Sequence, residues 1–325
     1  MAATFGGDSS TAAVRPPPLP PGKFRDPLVT AKGETRAQVA LRALETLWFN
    51  TGTLCNLTCE NCYIESSPRN DRLAYLSAAE VTRYLDEIAA LGLGTRLIGF
   101  TGGEPFMNRE LPAMLEDVLS RGFDAIVLTN AMKPMQHKKR ALLALRGRYG
   151  DRLTIRVSLD HYAPAVHELE RGRQSWTPTL DGLKWLAGNG FRLNVASRYL
   201  SGESEAALRQ GFRTLFAEQA IPLDADDPVA LMIFPEMDAT VDVPEITTAC
   251  WGILHKSPDS VMCASSRMVV KHKGAAVPSV VACTLLPYDR LWDFGPTLAG
   301  ARGSVPLNHP HCAKFCVLGG AACSA

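Results

Sequence analysis

Between residues 44 and 235, short apolar runs alternate with longer segments whose apolar residues recur every three or four positions. The short runs read as buried strands and the longer ones as amphipathic helices. Strands are expected over LETLWFNTG (44–52), RLIGF (96–100), DAIVLTN (124–130), LTIRVSLD (153–160), FRLNVAS (191–197) and PVALMIF (228–234). Helices are expected over 76–92, 108–121, 135–150, 177–188 and 204–219. The first helix is the best marked. Ser77 can cap it, Glu80 completes a capping box, and Val81, Tyr84, Leu85, Ile88 and Leu91 share a face.

Six strands alternating with helices through short loops argue for parallel βα units. They can close an incomplete β/α barrel or lie open as a doubly wound sheet. In both cases active residues belong at the C-terminal strand ends. The unusual residues of this chain fall there. A cysteine-rich loop follows the first strand and GGEP follows the second. Thr129 and Asn130 end the third, and Ser158 and Asp160 end the fourth. Met232, Phe234 and Glu236 end the sixth and would face the same mouth, with core packing as their simpler explanation.

The rhythm stops near residue 240. Residues 241–325 carry Gly, Pro and six cysteines and read as a small second domain stapled by metal. Residues 1–40, with RPPPLPP at 15–21, read as an extended, poorly ordered leader. The barrel domain then occupies 41–240.

Composition narrows the class. The 325 residues are 46% hydrophobic, enough for a sizeable core. A formal net charge of +1 suggests neither a nucleic-acid nor a membrane partner. No uninterrupted apolar run reaches the roughly 18 residues that a membrane helix needs. The N-terminus lacks the basic start and apolar run of a signal peptide. A cytoplasmic protein with reduced thiols is expected, so its clustered cysteines point to metal or catalysis rather than disulfides.

There are nine cysteines, and none lies between Cys62 and Cys250. Cys55, Cys59 and Cys62 form C-x3-C-x2-C within CNLTCENCY. A [4Fe–4S] cluster is normally held by four thiolates. Three leave one iron open, and an open metal position usually means chemistry. Zinc is the competing reading, although no histidine lies close behind the triplet.

C-x3-C-x2-C followed by Tyr63, with GGEP some forty residues on, resembles the radical SAM superfamily. The resemblance covers roughly residues 44–235, with strict motif matches only in the cysteine loop and GGEP. It implies an α/β fold, a partial (β/α)6 TIM-like barrel. It also implies a [4Fe–4S] cluster held by Cys55, Cys59 and Cys62, whose fourth iron chelates S-adenosylmethionine (SAM). Reductive cleavage of SAM then yields a 5′-deoxyadenosyl radical that abstracts hydrogen from substrate, with electrons from a flavodoxin- or ferredoxin-type reductant. On this reading Gly102 and Gly103 let backbone approach the methionyl end of SAM. Glu104 pairs with its ammonium, and Tyr63 lies near the adenine. Ser158 faces the ribose or carboxylate, and Asp160 orders the loop. Arg171 is a carboxylate or loop contact or a solvated surface arginine. Asn194 points at SAM or is a satisfied core amide.

The late cysteines resemble the SPASM extension or its shorter form, twitch, which bind auxiliary iron–sulfur clusters. The resemblance implies a β-hairpin that places Cys263 and Cys283 around the Gly274 turn and a later helical segment that supplies the rest; Cys312, Cys316 and Cys323 follow as C-x3-C-x6-C. That departs from the full SPASM run, C-x2-C-x5-C-x3-C, and six thiols are too few for two four-cysteine clusters. One auxiliary [4Fe–4S] cluster on Cys263, Cys283, Cys312 and Cys316 is expected, with Cys250 and Cys323 as substitutes or contributors; two clusters with open or non-cysteine sites are the alternative. His309 and His311 keep a zinc or mixed-ligand site open.

The expected function is SAM-dependent hydrogen abstraction from a peptide, protein or small metabolite. A non-catalytic iron–sulfur or zinc protein is the alternative, and it leaves GGEP and the strand-end placement unexplained. The stretch before residue 44 is too short for a folded leader-peptide recognition domain, and no segment suits cobalamin.

Overall fold

The computed structural model describes residues 17–200, 202–236 and 238–320. Residues 1–16, which include the first two residues of RPPPLPP, and Cys323 lie outside the described residues. The parallel strands are β2 (Thr46–Asn50), β3 (Leu97–Thr101), β4 (Asp124–Thr129), β5 (Leu153–Ser158), β6 (Arg192–Arg198) and β7 (Leu231–Phe234), preceded by a short β1 (Gln38–Val39). The helices between them are α1 (Ala78–Ala90), α2 (Leu111–Ser120), α3 (Lys133–Gln136), α4 (Lys139–Tyr149), α5 (Pro164–Arg171), α6 (Trp176–Gly188) and α7 (Glu205–Glu218). The C-terminal part adds α8 (Cys250–Ile253), β8 (Ser266–Val270), β9 (Ser279–Val281) and β10 (Val305–Pro306).

α1 starts as its sequence demands. The Ser77 side chain accepts from Glu80 N, and the Glu80 side chain accepts from Ser77 N, closing the capping box. Two helices stand where one was expected over 135–150. Pro134 sits in the first turn of α3, where its missing N–H is not needed, and the chain breaks at 137–138 before α4. α5 was not anticipated from the sequence. It also begins with a proline, Pro164.

One sheet runs β7-β6-β5-β4-β3-β2-β8-β9. Every pairing from β2 to β7 is parallel, so the six βα units form a partial TIM-like barrel. β8 joins the free edge of β2 in parallel, Thr46 beside Ser266, and β9 pairs back on β8 antiparallel. The cysteine-rich region thus extends the barrel sheet instead of building a separate one.

Strand parity separates two surfaces. Leu47, Phe49, Ile98, Phe100, Ala125, Val127, Ile155, Val157, Leu193 and Val195 pack with the helices in one large core. Phe49 stacks on Phe100 at 5.7 Å and meets Tyr84 of α1 edge-on at 6.2 Å. Burying each such ring contributes about 2–3 kcal/mol. Positions of the other parity turn inward. Trp48 and Ile126 meet the C-terminal region, while Leu128, Arg156, Ser158, Ala196, Arg198 and Phe234 line a cavity.

Residues 17–40, expected to belong to a loose leader, instead lie against the C-terminal part. Leu19 N donates to Thr240 O, Asp242 N donates to Pro17 O, and β1 pairs with β10. Arg36 is the anchor. Its buried guanidinium donates to the carbonyls of Asp26, Val29 and Leu307 and to Glu245 Oε1 at 2.5 Å. Among the described residues no helix is long and apolar enough to cross a membrane.

Candidate functional site

The cysteine loop leaves the C-terminal end of β2, and GGEP leaves the neighbouring end of β3. The two continue side by side past the sheet. Thr51 N donates to Thr101 O (2.8 Å), Gly103 N to Gly52 O (2.8 Å) and Glu104 N to Leu54 O (3.1 Å). A Cβ on Gly102 would stand 2.5 Å from Gly52 O, at a φ of +142°. A Cβ on Gly103 would stand 2.2 Å from Leu54 O and 2.7 Å from Thr53 O. The glycines therefore admit the backbone of the cysteine loop, a reason for them that sequence reasoning did not reach. Both also line the cavity.

Glu104 is buried and turned toward the end of β4. Its Oε1 accepts from Thr129 Oγ1 (2.8 Å) and Phe106 N (3.2 Å), and its Oε2 accepts from Asn130 N (2.8 Å). Burial pushes its pKa up to about 7 despite these three donors. The carboxylate fastens GGEP to β4, and it is not among the cavity-lining side chains.

Cys55, Cys59 and Cys62 line that cavity, which measures about 140 Å³. Tyr63, Gly102, Gly103, Ser158, Asp160 and Arg171 line it too. Asn194 is buried beside Arg156 in register but does not reach it. Phe234 lines it, Met232 is buried and Glu236 is exposed.

A buried ion network holds the loop from the far side. Arg171 Nε donates to Asp160 Oδ2 (2.6 Å) and Nη2 to Oδ1 (3.1 Å). Arg198 Nη1 bonds Glu170 Oε1 (3.0 Å) and Asn61 O (2.9 Å). Glu170 also accepts from Asn61 N (3.1 Å) and Asn61 Nδ2 (2.8 Å), and its carbonyl accepts from Glu60 N (2.8 Å). Glu60 and Asn61 sit between Cys59 and Cys62, so α5 and β6 clamp the two thiols' own linker. Burial alone would raise the Asp160 pKa, but Arg171 and Arg198 outweigh it and hold the carboxyl below its usual range. Arg171 is a buried member of this pair rather than a solvated arginine. Glu170, Arg198 and Asn61 were missed in the sequence. Arg198 shares strand parity with Ala196, and that was the available signal.

Burial pushes the Cys55 thiol up to about 12, with Glu104 adding to the shift, and raises Cys59 as well. Metal binding would have to displace those protons. Ser66 N donates to Cys62 Sγ (3.3 Å) and Leu57 N to Cys55 Sγ (3.4 Å), contacts suited to thiolates. Among the described residues no three His, Cys, Asp or Glu side chains are gathered as ligands of a single metal ion. A four-iron cluster asks for one thiolate per iron rather than convergence on a point. The three thiols that line this cavity could each serve one iron of such a cluster.

A second, smaller pocket is lined by Cys263, Cys283, Cys312 and Cys316, with His311 beside them. Burial pushes the Cys263 thiol up to about 12 and also holds the Cys312 thiol well above its ordinary value. Cys250 does not line it; its Sγ accepts from Thr247 N at 3.3 Å. Leu285 lines both pockets and divides them.

Residues 49–210 match the family model of the Radical SAM superfamily. The chain is 30% identical over 169 residues to the antilisterial bacteriocin subtilosin biosynthesis protein AlbA of Bacillus subtilis, covering 52% of this chain and 35% of that protein. It is 28% identical over 187 residues to a GTP 3′,8-cyclase of Tolumonas auensis, covering 57% of this chain and 52% of that one. The chain thus spans about half the length, or less, of these curated relatives. In fold it resembles Streptococcus suis SuiB bound to S-adenosylmethionine, with TM-score 0.55 and 13% identity over 77% of this chain and 62% of that one. It also resembles anSMEcpe with bound AdoMet, with TM-score 0.56 and 14% identity over 79% of each chain.

Proposed function

The chain belongs to the Radical SAM superfamily through residues 49–210, and on that premise we propose that it is a cytoplasmic enzyme abstracting hydrogen from a peptide, protein or small-metabolite substrate. Cys55, Cys59 and Cys62 would hold a [4Fe–4S] cluster with one iron left for SAM. When bound and reduced by an external flavodoxin- or ferredoxin-type protein, that pair supplies a 5′-deoxyadenosyl radical for the abstraction. The observation carrying the reading is that the three thiols share one cavity with Gly102, Gly103, Ser158, Asp160 and Arg171.

The chain's own residues bind and orient. Gly102 and Gly103 fix the cysteine loop against the ends of β2 and β3. Arg171, neutralised by Asp160, brings a donor fork to the cavity wall without leaving a bare buried charge. Tyr63 offers a ring to the adenine, and Ser158 a hydroxyl to the ribose or carboxylate. Glu104 acts through the loop it fastens. The apolar side formed by Leu128, Phe234, Leu285 and Phe315 keeps water from a reactive intermediate. Residues 241–325 would supply an auxiliary [4Fe–4S] cluster on Cys263, Cys283, Cys312 and Cys316. The relatives' names reach both a bacteriocin biosynthesis protein and a GTP cyclase, so the substrate class is set by experiment.

The test is anaerobic reconstitution with iron and sulfide, then dithionite and SAM, with 5′-deoxyadenosine as the product measured. The parent should form it, and a Cys55→Ala, Cys59→Ala, Cys62→Ala triple variant should not. Equal nucleoside from both would overturn the assignment.

A further inference from the structure

The second pocket holds one polar group that nothing around it explains. His311 is only 7% exposed, and its Nδ1 has no hydrogen-bond partner among the described residues. The ring is held in place by its neighbour. His309 lies 4.6 Å away ring to ring, and its Nδ1 accepts the His311 backbone N–H at 3.1 Å. His309 is itself edge-on to Trp292 at 6.0 Å. The Trp292 indole N–H is already given to Pro306 O at 3.3 Å. Apart from the thiols, the remaining lining is hydrocarbon such as Val261, Leu286, Val305 and Leu307 and the thioether of Met262.

A buried polar atom without a partner is costly, and native proteins rarely leave one so. The atom that completes His311 is therefore expected to belong to whatever fills the pocket. Four cysteines already supply one thiolate to each iron of a four-iron cluster, so no iron is left for the imidazole. Sulfur is what such an occupant presents to a neighbouring N–H. We propose that His311 is a positioning residue for the auxiliary cluster, donating Nδ1–H to one of its sulfurs and thereby raising its reduction potential. Electrons added to the cluster increase the negative charge on sulfur, so a fixed donor stabilises the reduced form more than the oxidised one. The inference rests on the auxiliary-cluster reading above.

The test uses the full chain with Cys55, Cys59 and Cys62 changed to Ala, so that only the second pocket can hold iron. His311→Leu and His311→Gln are compared in that background by iron and sulfide content and by an EPR-monitored redox titration. His311→Leu should keep the parent iron content and become about tenfold harder to reduce, a fall of about 59 mV for one electron. His311→Gln, which keeps an N–H donor, should recover much of that fall. An unchanged potential in His311→Leu overturns the proposal. A one-quarter loss of iron with a three-iron EPR signal also overturns it, by making His311 a ligand. Absence of iron from the background variant itself would instead remove the auxiliary-cluster reading on which the proposal stands.

Discussion

Gly103→Ala tests whether the cysteine loop and GGEP form one mechanical unit. The new methyl would stand 2.2 Å from Leu54 O, 2.6 Å from Leu54 C and 2.7 Å from Thr53 O. All three are backbone atoms, so no side-chain rotation relieves the clash. Overpacking of this kind costs about 1–3 kcal/mol. Relief must part the loops, which breaks the Gly103 N to Gly52 O and Glu104 N to Leu54 O hydrogen bonds. Each contributes about 1 kcal/mol. The expected loss is about 3–5 kcal/mol, a large part of the 5–15 kcal/mol that ordinarily stabilises a domain. Gly147→Ala is the control. It lies within α4 with nothing within 4 Å of its added Cβ, and it should stabilise by about 0.5–1 kcal/mol. Urea unfolding gives the energies, and iron per chain after reconstitution reports the loop. Gly103→Ala should lose the iron held by Cys55, Cys59 and Cys62 and keep that of the second pocket. A Gly103→Ala protein with parent iron content and an unfolding energy no more than about 0.5 kcal/mol below the parent's would refute the reasoning.

Three further outcomes are expected. Burial raises Glu104 from 4.5 to about 7, so its contribution to stability is fully present below pH 4.5 and is lost as pH climbs through 7. Urea titrations of the iron-free parent should therefore weaken over that window by roughly 3 kcal/mol more than those of Glu104→Gln, and parallel curves would show that Glu104 does not titrate there. Asp160→Asn strips the charge partner from buried Arg171 and should lower SAM affinity at least tenfold in equilibrium dialysis of the reconstituted protein; unchanged affinity would place the pair outside SAM binding. Glu245→Ala removes acceptors from Arg36 Nη2, Phe24 N and Ala31 N and should cost about 3 kcal/mol, with faster proteolytic cleavage within residues 17–37 as its visible sign.

The six βα units were legible because each signal was local. Short apolar runs marked the strands, and Ser77 with Glu80 marked the start of α1. β8 was not legible. SRMVV carries an arginine in a strand that is buried throughout. Arg267 is tolerated because its guanidinium donates to the carbonyls of Cys263, Ser266, Ala301 and Gly303, partners that only the folded chain brings together. The candidate site divides the same way. Cysteine spacing and GGEP could be read directly, and so could the placement of Ser158 and Asp160 at a strand end. The clamp on Glu60 and Asn61 could not, because Glu170 and Arg198 reach it from different elements. Arg36 was hidden for a related reason. A proline-rich opening looks loose until Thr240, Glu245 and Leu307, more than two hundred residues away from the groups they accept from, are in place.

The pairing of β2 with β8 also sets a clock on biosynthesis. β2 leaves the ribosome early, carrying the cysteine loop, but the strand that covers its outer edge begins at Ser266. At about 5–20 residues per second, that edge waits roughly 10–45 s for its partner. Throughout that interval the nascent chain offers an open row of backbone donors and acceptors beside Trp48, a template on which another chain can add a strand. Vectorial synthesis therefore separates the moment when the first three thiols become available from the moment when the sheet closes behind them. Expression yield should depend on what shelters that edge while the ribosome finishes.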